Sequence, residues 1–245
     1  MVNGADVLDG TPSARKGAWL AVDTSTPMGS VAVWRDGLVF EQAFSILRAH
    51  SELVLPAIDR ALTVSGVAPG EVESFVLGSG PGSFTGVRIA ASLAKGWSMA
   101  RGTALYAYSS LLAVAAGCGV EGPVCALFDA RRGEVYGACY DLADGREPVE
   151  LLAPGAWSLP RLMDELMKRE IEPVFVGEGA KAYRDDIRRR MAGARVLPDH
   201  LAVPRAASLL WLRHVAADSG KVRRVEQLEP MYVREWKVAE EGGRR

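Results

Sequence analysis

The chain is poor in the side chains that hold metal ions. Its 245 residues include only three histidines, His50, His200 and His214, and three cysteines, Cys118, Cys125 and Cys139. No histidine lies within four residues of another. The H-x-x-x-H pair that grips a metal from one helix face therefore cannot be built, and no metal ligand is assigned. The cysteines are odd in number and lack C-x-x-C spacing, which excludes a disulfide framework and a zinc ribbon. They are expected as buried free thiols of a reduced compartment. No apolar run reaches the ~18–20 residues that span a bilayer, so no membrane partner is expected. Net charge is also lacking. A formal balance of −1 excludes broad electrostatic capture of nucleic acid by this chain alone. The basic runs Arg184 to Arg190 and Lys221 to Arg224 read as solvated faces. The stretch from Met1 to Lys16 lacks the basic start and apolar core of a secretory signal. Residues 1–17 are expected to be a disordered extension, and the protein to be cytoplasmic.

What the chain does have is a large apolar fraction, 49 %, enough for a substantial core. Trp19 to Val22 reads as a buried strand ending in Asp23. Ser30 to Trp34 and Leu38 to Phe44 flank the turn Arg35-Asp36-Gly37 and should pair as a hairpin. A helix should start near Ser51, whose hydroxyl can cap it, with Glu52 in the dipole-favoured first turn and Pro56 bending it. Leu55, Ile58 and Leu62 share its apolar face. A strand from Val72 to Leu77 leads into a glycine loop and then an apolar helix from Val87. A short strand, Ala104 to Tyr108, precedes a helix capped by Ser109. The second half restarts with the strand Val124 to Phe128, closed by Asp129, and a turn into Glu134 to Tyr140. Helices are expected from Ser158 to Arg169, Lys181 to Arg190 and Ala206 to Ala217.

The loop Gly78-Ser79-Gly80-Pro81-Gly82-Ser83-Phe84-Thr85-Gly86 is the most informative segment. Strand, glycine loop and helix together can aim backbone N–H groups at an anion. Yet it lacks the Gly-Lys-Ser/Thr of a P-loop, and Gly80 to Gly86 is one residue too long for the dinucleotide fingerprint. Two readings stand: a phosphate cradle, or a tight turn that lets helix and sheet pack closely.

Both halves share one order: an apolar strand closed by Asp, a hairpin, a helix, then strand, glycine turn and helix. A strand–hairpin–helix–strand unit repeated twice resembles the actin-like and sugar-kinase ATPases, α/β proteins with two ribonuclease-H-like lobes around a cleft. The first lobe is expected over residues 18–108, the second over 109–236, and a flexible tail over 237–245.

The resemblance becomes specific in particular segments. They are Val22-Asp23-Thr24-Ser25-Thr26, His50-Ser51-Glu52-Leu53-Val54-Leu55-Pro56, Gly80 to Ile89, Asp129 to Tyr136, and Pro230-Met231-Tyr232-Val233-Arg234. In this order and spacing the chain resembles the bacterial TsaB (YeaZ) family. The likeness is strong from Trp19 to Tyr140, weak from Pro148 to Val203, and returns in the tail. It implies a non-catalytic subunit in the making of threonylcarbamoyladenosine beside the anticodon of tRNAs that read A-starting codons. The transfer belongs to a paralogous partner, TsaD, joined by the small ATPase TsaE. In isolation the chain would pair with itself, and tRNA would be met indirectly.

The residues also speak against catalysis. Asp23-Thr24-Ser25-Thr26-Pro27 keeps the acid of an actin-like phosphate turn but carries Ser25 where a glycine would admit phosphate to the backbone. The nucleotide site is therefore expected to be degenerate, with no catalytic residue and no resident cofactor. Residual ATP or ADP contact at a shared interface would use Asp23, Thr24, Gly80, Gly82, Ser83 and Thr85. His50 reads as a helix-entry residue, because sequence neighbours at a helix start do not point together. The alternative is an independent phosphotransferase of the sugar-kinase type. A peptidase reading, weaker still, needs ligands the sequence lacks.

The helix from Val87 to Ala100 is apolar around nearly all of its circumference and needs cover on both faces. A sheet covers one, and a partner molecule or the second lobe the other. The expected association surface comprises His50, Ser51, Leu55, Ile58, Leu62, Ala90, Leu93, Ala94 and Trp97, matching the family's contact with TsaD or a second copy.

Overall fold

Strand β1, Ala18–Asp23, is buried along almost its whole length because both faces of its sheet are covered. The computed structural model describes residues 17–45, 50–131 and 133–233, without the side chains of His50 and Ser51. The expected N-terminal extension up to residue 16 and the tail 237–245 lie outside them. β1 pairs antiparallel with β2, Met28–Trp34, which pairs antiparallel with β3, Leu38–Ser45. On its other side β1 runs parallel to β4, Val72–Gly78, and β4 parallel to β5, Ala104–Tyr108. The first sheet has the order β3-β2-β1-β4-β5.

Alternation along the strands sends Leu20, Val22, Val31, Val33, Phe75 and Leu77 to one face. There α1, His50–Val64, and α2, Phe84–Arg101, close the core with Val54, Ile58, Leu62, Ala90 and Ala94. α2 begins at Ser83, whose Oγ accepts from the Gly86 N–H at 3.3 Å. It stops at Gly102, left-handed at φ 69°, whose N–H bonds the Ser98 carbonyl.

The second lobe repeats the scheme. β6 (Gly122–Arg131), β7 (Glu134–Leu142) and β8 (Val149–Ser158) are antiparallel neighbours, and β9 (Val174–Val176) runs parallel to β6. The order is β8-β7-β6-β9. The doubled ribonuclease-H-like plan of the actin-like α/β class is thus present in both sheets. α3, Ser110–Gly117, lies on one face of this sheet, with Leu111 and Val114 against Val124, Ala126 and Phe128. α4 (Leu159–Lys168), α5 (Glu178–Ala182) and α6 (Arg184–Arg190) close the other face. Cys118, Cys125 and Cys139 are free and buried.

One element was unassigned in the sequence and two differ from expectation. β8 contains Pro154 and Gly155, which argue against a strand, but as the edge strand it tolerates a missing donor. The single helix expected over Lys181 to Arg190 turns at Tyr183, φ −107°, which packs on the lobe's core and splits it into α5 and α6. The third concerns the end of the chain. α7 (Ala206–Val215) and α8 (Ala217–Gly220) fall within the expected second lobe but pack on the first. Leu209, Leu210 and Leu212 of α7 cover Ala21, Ala32, Val76 and Tyr106, the face of the first sheet opposite α1 and α2.

Candidate functional site

Asp23 ends β1 directly beside the glycine loop, where an actin-like ATPase would meet phosphate. Here its carboxylate is fully buried. Oδ1 accepts from the Ser25 N–H at 2.8 Å and the Ser25 hydroxyl at 2.7 Å. Oδ2 accepts from the Ser110 hydroxyl at 2.7 Å, so α3 is tied to the same carboxylate. Burial pushes the Asp23 carboxyl above its ordinary range, and the hydrogen bonds from Ser25 and Ser110 work against that shift. Thr24 Oγ1 donates to the Gly86 carbonyl at 2.7 Å.

The loop answers this turn at contact distance. The Ser83 N–H donates to the Ser25 carbonyl at 2.6 Å. A Cβ on Gly82 would stand 2.1 Å from the Ser25 oxygen, and one on Gly86 1.8 Å from the Thr24 oxygen. The Gly80 N–H bonds Ser110 Oγ at 3.2 Å, and the Ser79 N–H bonds the Tyr108 carbonyl at 2.8 Å. The glycines thus serve close approach of two turns, and these amide donors are spent on the chain itself. Thr85 is exposed at the loop's outer edge, with Gly82 and Ser83 partly covered. Of the two sequence readings of the loop, this geometry favours the tight turn.

The second lobe repeats the construction with a more open acid. Asp129 is exposed, and its Oδ1 accepts from the Arg131 N–H at 2.8 Å. It faces the turn after β9, where a Cβ on Gly177 would meet the Leu127 oxygen at 2.2 Å. The Glu178 carboxyl is pushed up by partial burial and by the negative charge of Asp129. His200 and His214 lie in different elements, and His214 stacks on Trp34 with ring centroids 6.2 Å apart. Among the described residues, no three His, Cys, Asp or Glu side chains form a group that could hold a metal.

A second feature lies on the outer surface of α1 and α2. The structure divides the expected association residues. Ile58 and Leu62 are buried in the first lobe's own core, as are Ala90 and Ala94, because they face the sheet and not solvent. Trp97 turns to the same side, its ring 5.9 Å from that of Phe75. Leu55, at the rim of the apolar arc of α1, is 55 % exposed, and Leu93 is half-buried. His50 and Ser51 start α1, and their side chains lie outside the described residues.

Between the two helices runs a groove of about 440 Å³, lined by Leu55, Ile89 and Leu93 with Phe84, Arg88 and Ser92. Phe84 and Arg88 were missed in the sequence, where Phe84 looked like part of a phosphate loop. The remaining flank of α2 is covered by the chain's own C-terminal segment, not by the second lobe. Leu228 is buried with α1 and α2, the Glu226 carbonyl accepts from Lys95 Nζ at 3.4 Å, and the Met231 N–H donates to the Ser79 carbonyl at 2.7 Å.

Residues 45–236 match the family model described as TsaD, tRNA N6-adenosine threonylcarbamoyltransferase. The tRNA threonylcarbamoyladenosine biosynthesis protein TsaB of Escherichia coli K12 is 33 % identical over 224 residues, covering 88 % of this chain and 94 % of that protein. The chain belongs to the TsaB family. TsaB of Bacillus subtilis is 30 % identical over 221 residues, with 88 % and 93 % covered. Among solved structures, YeaZ of Pseudomonas aeruginosa superimposes with a TM-score of 0.74 at 29 % identity, over 88 % of this chain and 99 % of that one. Another crystal structure from the same bacterium, of an uncharacterized protein with similarity to peptidase YEAZ, gives a TM-score of 0.77 at 31 % identity, over 89 % and 100 %. For a TsaB-family chain the histidine-led start of α1 and the loop before α2 are the segments that carried the resemblance, and the groove lies between those two helices.

Proposed function

We propose that this chain is a non-catalytic partner subunit in the formation of threonylcarbamoyladenosine on tRNA, and that it supports a TsaD-type transferase by binding it through the α1–α2 groove. The observation that carries the reading is the filled turn at Asp23. Both carboxylate oxygens are occupied by Ser25 and Ser110, and the turn's carbonyls lie against Gly82 and Gly86. A Mg²⁺–phosphate group needs that space and those lone pairs. The first lobe uses them to hold β1, α2 and α3 together.

The apolar groove supplies the complementary half of the proposal. Leu55 in the open and Leu93 half-covered give a helix-lined surface of the kind that takes a partner helix. The groove has room for the transferase or, without it, for a second copy. The wider assembly includes the TsaE-type ATPase and meets tRNA through the transferase, in the cytoplasm. Nucleotide is not a resident cofactor, and residual ATP or ADP contact occurs only at the surface shared with a partner.

Two assays on the purified chain separate this reading from an independent sugar-kinase-type phosphotransferase. The chain alone is expected to show no ATP turnover above buffer, and to form a stable complex with the transferase by light scattering after size exclusion. ATP hydrolysis by the pure chain that disappears in Asp23→Ala, with no complex formed, overturns the proposal in favour of the phosphotransferase.

A further inference from the structure

The C-terminal segment Pro230-Met231-Tyr232-Val233 matches the family yet plays no part in the reading above. Its backbone is pinned beside the glycine loop by the Met231 N–H to Ser79 carbonyl bond, and upstream by buried Leu228. The next side chain, Tyr232, is 49 % exposed and reaches over the start of α2. Its hydroxyl accepts from Arg88 Nε at 2.8 Å, and its ring lies 5.8 Å from that of Phe84, itself 46 % exposed. The Arg88 guanidinium carbon sits over the Phe84 ring, 3.7 Å from the centroid. Two exposed aromatic rings thus fix an exposed cation at the edge of the apolar groove.

An exposed arginine ordinarily samples many rotamers, and ordering it costs side-chain entropy on binding. Here the aromatic face and the Tyr232 hydroxyl have already fixed it. Among the described residues the hydrogen bond seen for Arg88 is the one from Nε, and neither terminal nitrogen is in an ion pair. A pre-oriented guanidinium fork with free N–H groups matches a carboxylate.

We infer that Tyr232 positions Arg88 to receive a carboxylate from the transferase-type partner seated in the α1–α2 groove. This rests on the proposed function and deepens it. The occupant follows from charge and symmetry. This chain itself matches the transferase family model over residues 45–236, so the partner shares its fold. Two related folds that meet through the same helices form a pseudo-two-fold contact, α1 and α2 of each against those of the other. On α1 of this chain Glu52, Leu55 and Asp59 are exposed at i, i+3, i+7 spacing and lie on one stripe. A partner of this fold that carries carboxylates at the same places on its own α1 would present them to Arg88 across that contact. Tyr232 acts through Arg88 and is a positioning residue.

The test is a double-mutant cycle on the full-length chain with the full-length transferase, read as Kd by calorimetry at two salt concentrations. Arg88→Ala should weaken the complex about tenfold or more, and Arg88→Lys should not restore it, because lysine lacks the fork. Tyr232→Ala should weaken it about fivefold alone and change nothing in the Arg88→Ala background. The salt dependence of Kd should become shallower in both single variants. Melting temperatures should stay within about 3 °C of the native chain, because Met231 and Leu228 still anchor the segment. A native complex whose Kd is unmoved by Arg88→Ala overturns the inference and leaves the proposed function standing. A Tyr232→Ala cost that persists without Arg88 overturns the positioning role. An effect confined to self-association overturns the choice of partner. Failure of the native chain to bind the transferase overturns the proposed function and this inference together.

Discussion

Asp23 is a buried acid whose two oxygens organise three segments of chain. Replacing it with alanine strands the Ser25 and Ser110 hydroxyls in a dry site, at about 1–3 kcal/mol for each unpaired group. Asp23→Ala should therefore lower Tm by at least about 4 °C, and by up to about 24 °C. Asp23→Asn keeps an acceptor for Ser25 and offers an N–H to Ser110, so it should fold and still support tRNA modification. Loss of modification in a folded Asp23→Asn protein would make the carboxylate a functional group. The pH dependence has a definite sign. The folded carboxyl titrates above its unfolded value, so in that window the folded state holds more protons. Stability from this group is greatest below the unfolded pKa and falls as pH rises through the folded one. The wild-type chain should gain stability relative to Asp23→Asn on acidification from neutral pH, measured by thermal melts of both proteins. The opposite trend would contradict the burial-driven shift. Glycines at this scale divide by contact. Gly86→Ala forces a Cβ against the Thr24 oxygen and should disrupt the first lobe. Gly96, in the middle of α2, has open space where a Cβ would stand, with nothing within 4 Å, and should gain about 0.5–1 kcal/mol on replacement by alanine. The sequence made the Asp23 turn legible as a departure from an actin-like phosphate turn, because Ser25 stands where such a turn carries glycine. It did not reveal that Ser110, 87 residues away, completes the carboxylate's shell.

At the scale of the helix, α1 and α2 separate what periodicity can tell from what it cannot. The 3.6-residue spacing of Leu55, Ile58 and Leu62 identifies an apolar arc, but the same arc serves a sheet or a partner equally well. The sheet takes Ile58 and Leu62, and only Leu55, at the rim, is left to solvent. The glutamate variants should separate accordingly. Ile58→Glu buries an unpaired charge in the core and should unfold the first lobe. Leu55→Glu should leave Tm within about 3 °C and weaken the complex with the transferase at least about tenfold. Circular dichroism melts beside binding isotherms read both, and a folded, binding-competent Ile58→Glu protein would contradict the assigned burial. α2 taught the complementary lesson. Its nearly uniform apolar surface promised a second cover, and part of that cover is the chain's own segment around Leu228. That contact joins residues too far apart in sequence for local pattern to find.

For the molecule as a whole, the doubled plan was legible because it is written in local order. An apolar strand closed by Asp, a hairpin and a strand–glycine turn occur once in each half, and each half builds its own sheet. The placement of α7 was not legible. Its leucines could have covered either sheet. They cover the first, whose small Ala21 and Ala32 leave room for a closely packed helix. The segment after α8 thereby returns to the first lobe and delivers Tyr232 to α2. The molecule then offers a turn at Asp23 filled by its own side chains and an open helix groove, the two features on which the proposed function rests. The most direct test is reconstituted tRNA threonylcarbamoylation with purified transferase, TsaE-type ATPase and threonylcarbamoyl-adenylate. Modification should require this chain, persist with Asp23→Asn and collapse with Leu55→Glu. Full modification without the chain, or with Leu55→Glu at every concentration tested, would contradict a role exerted through this groove.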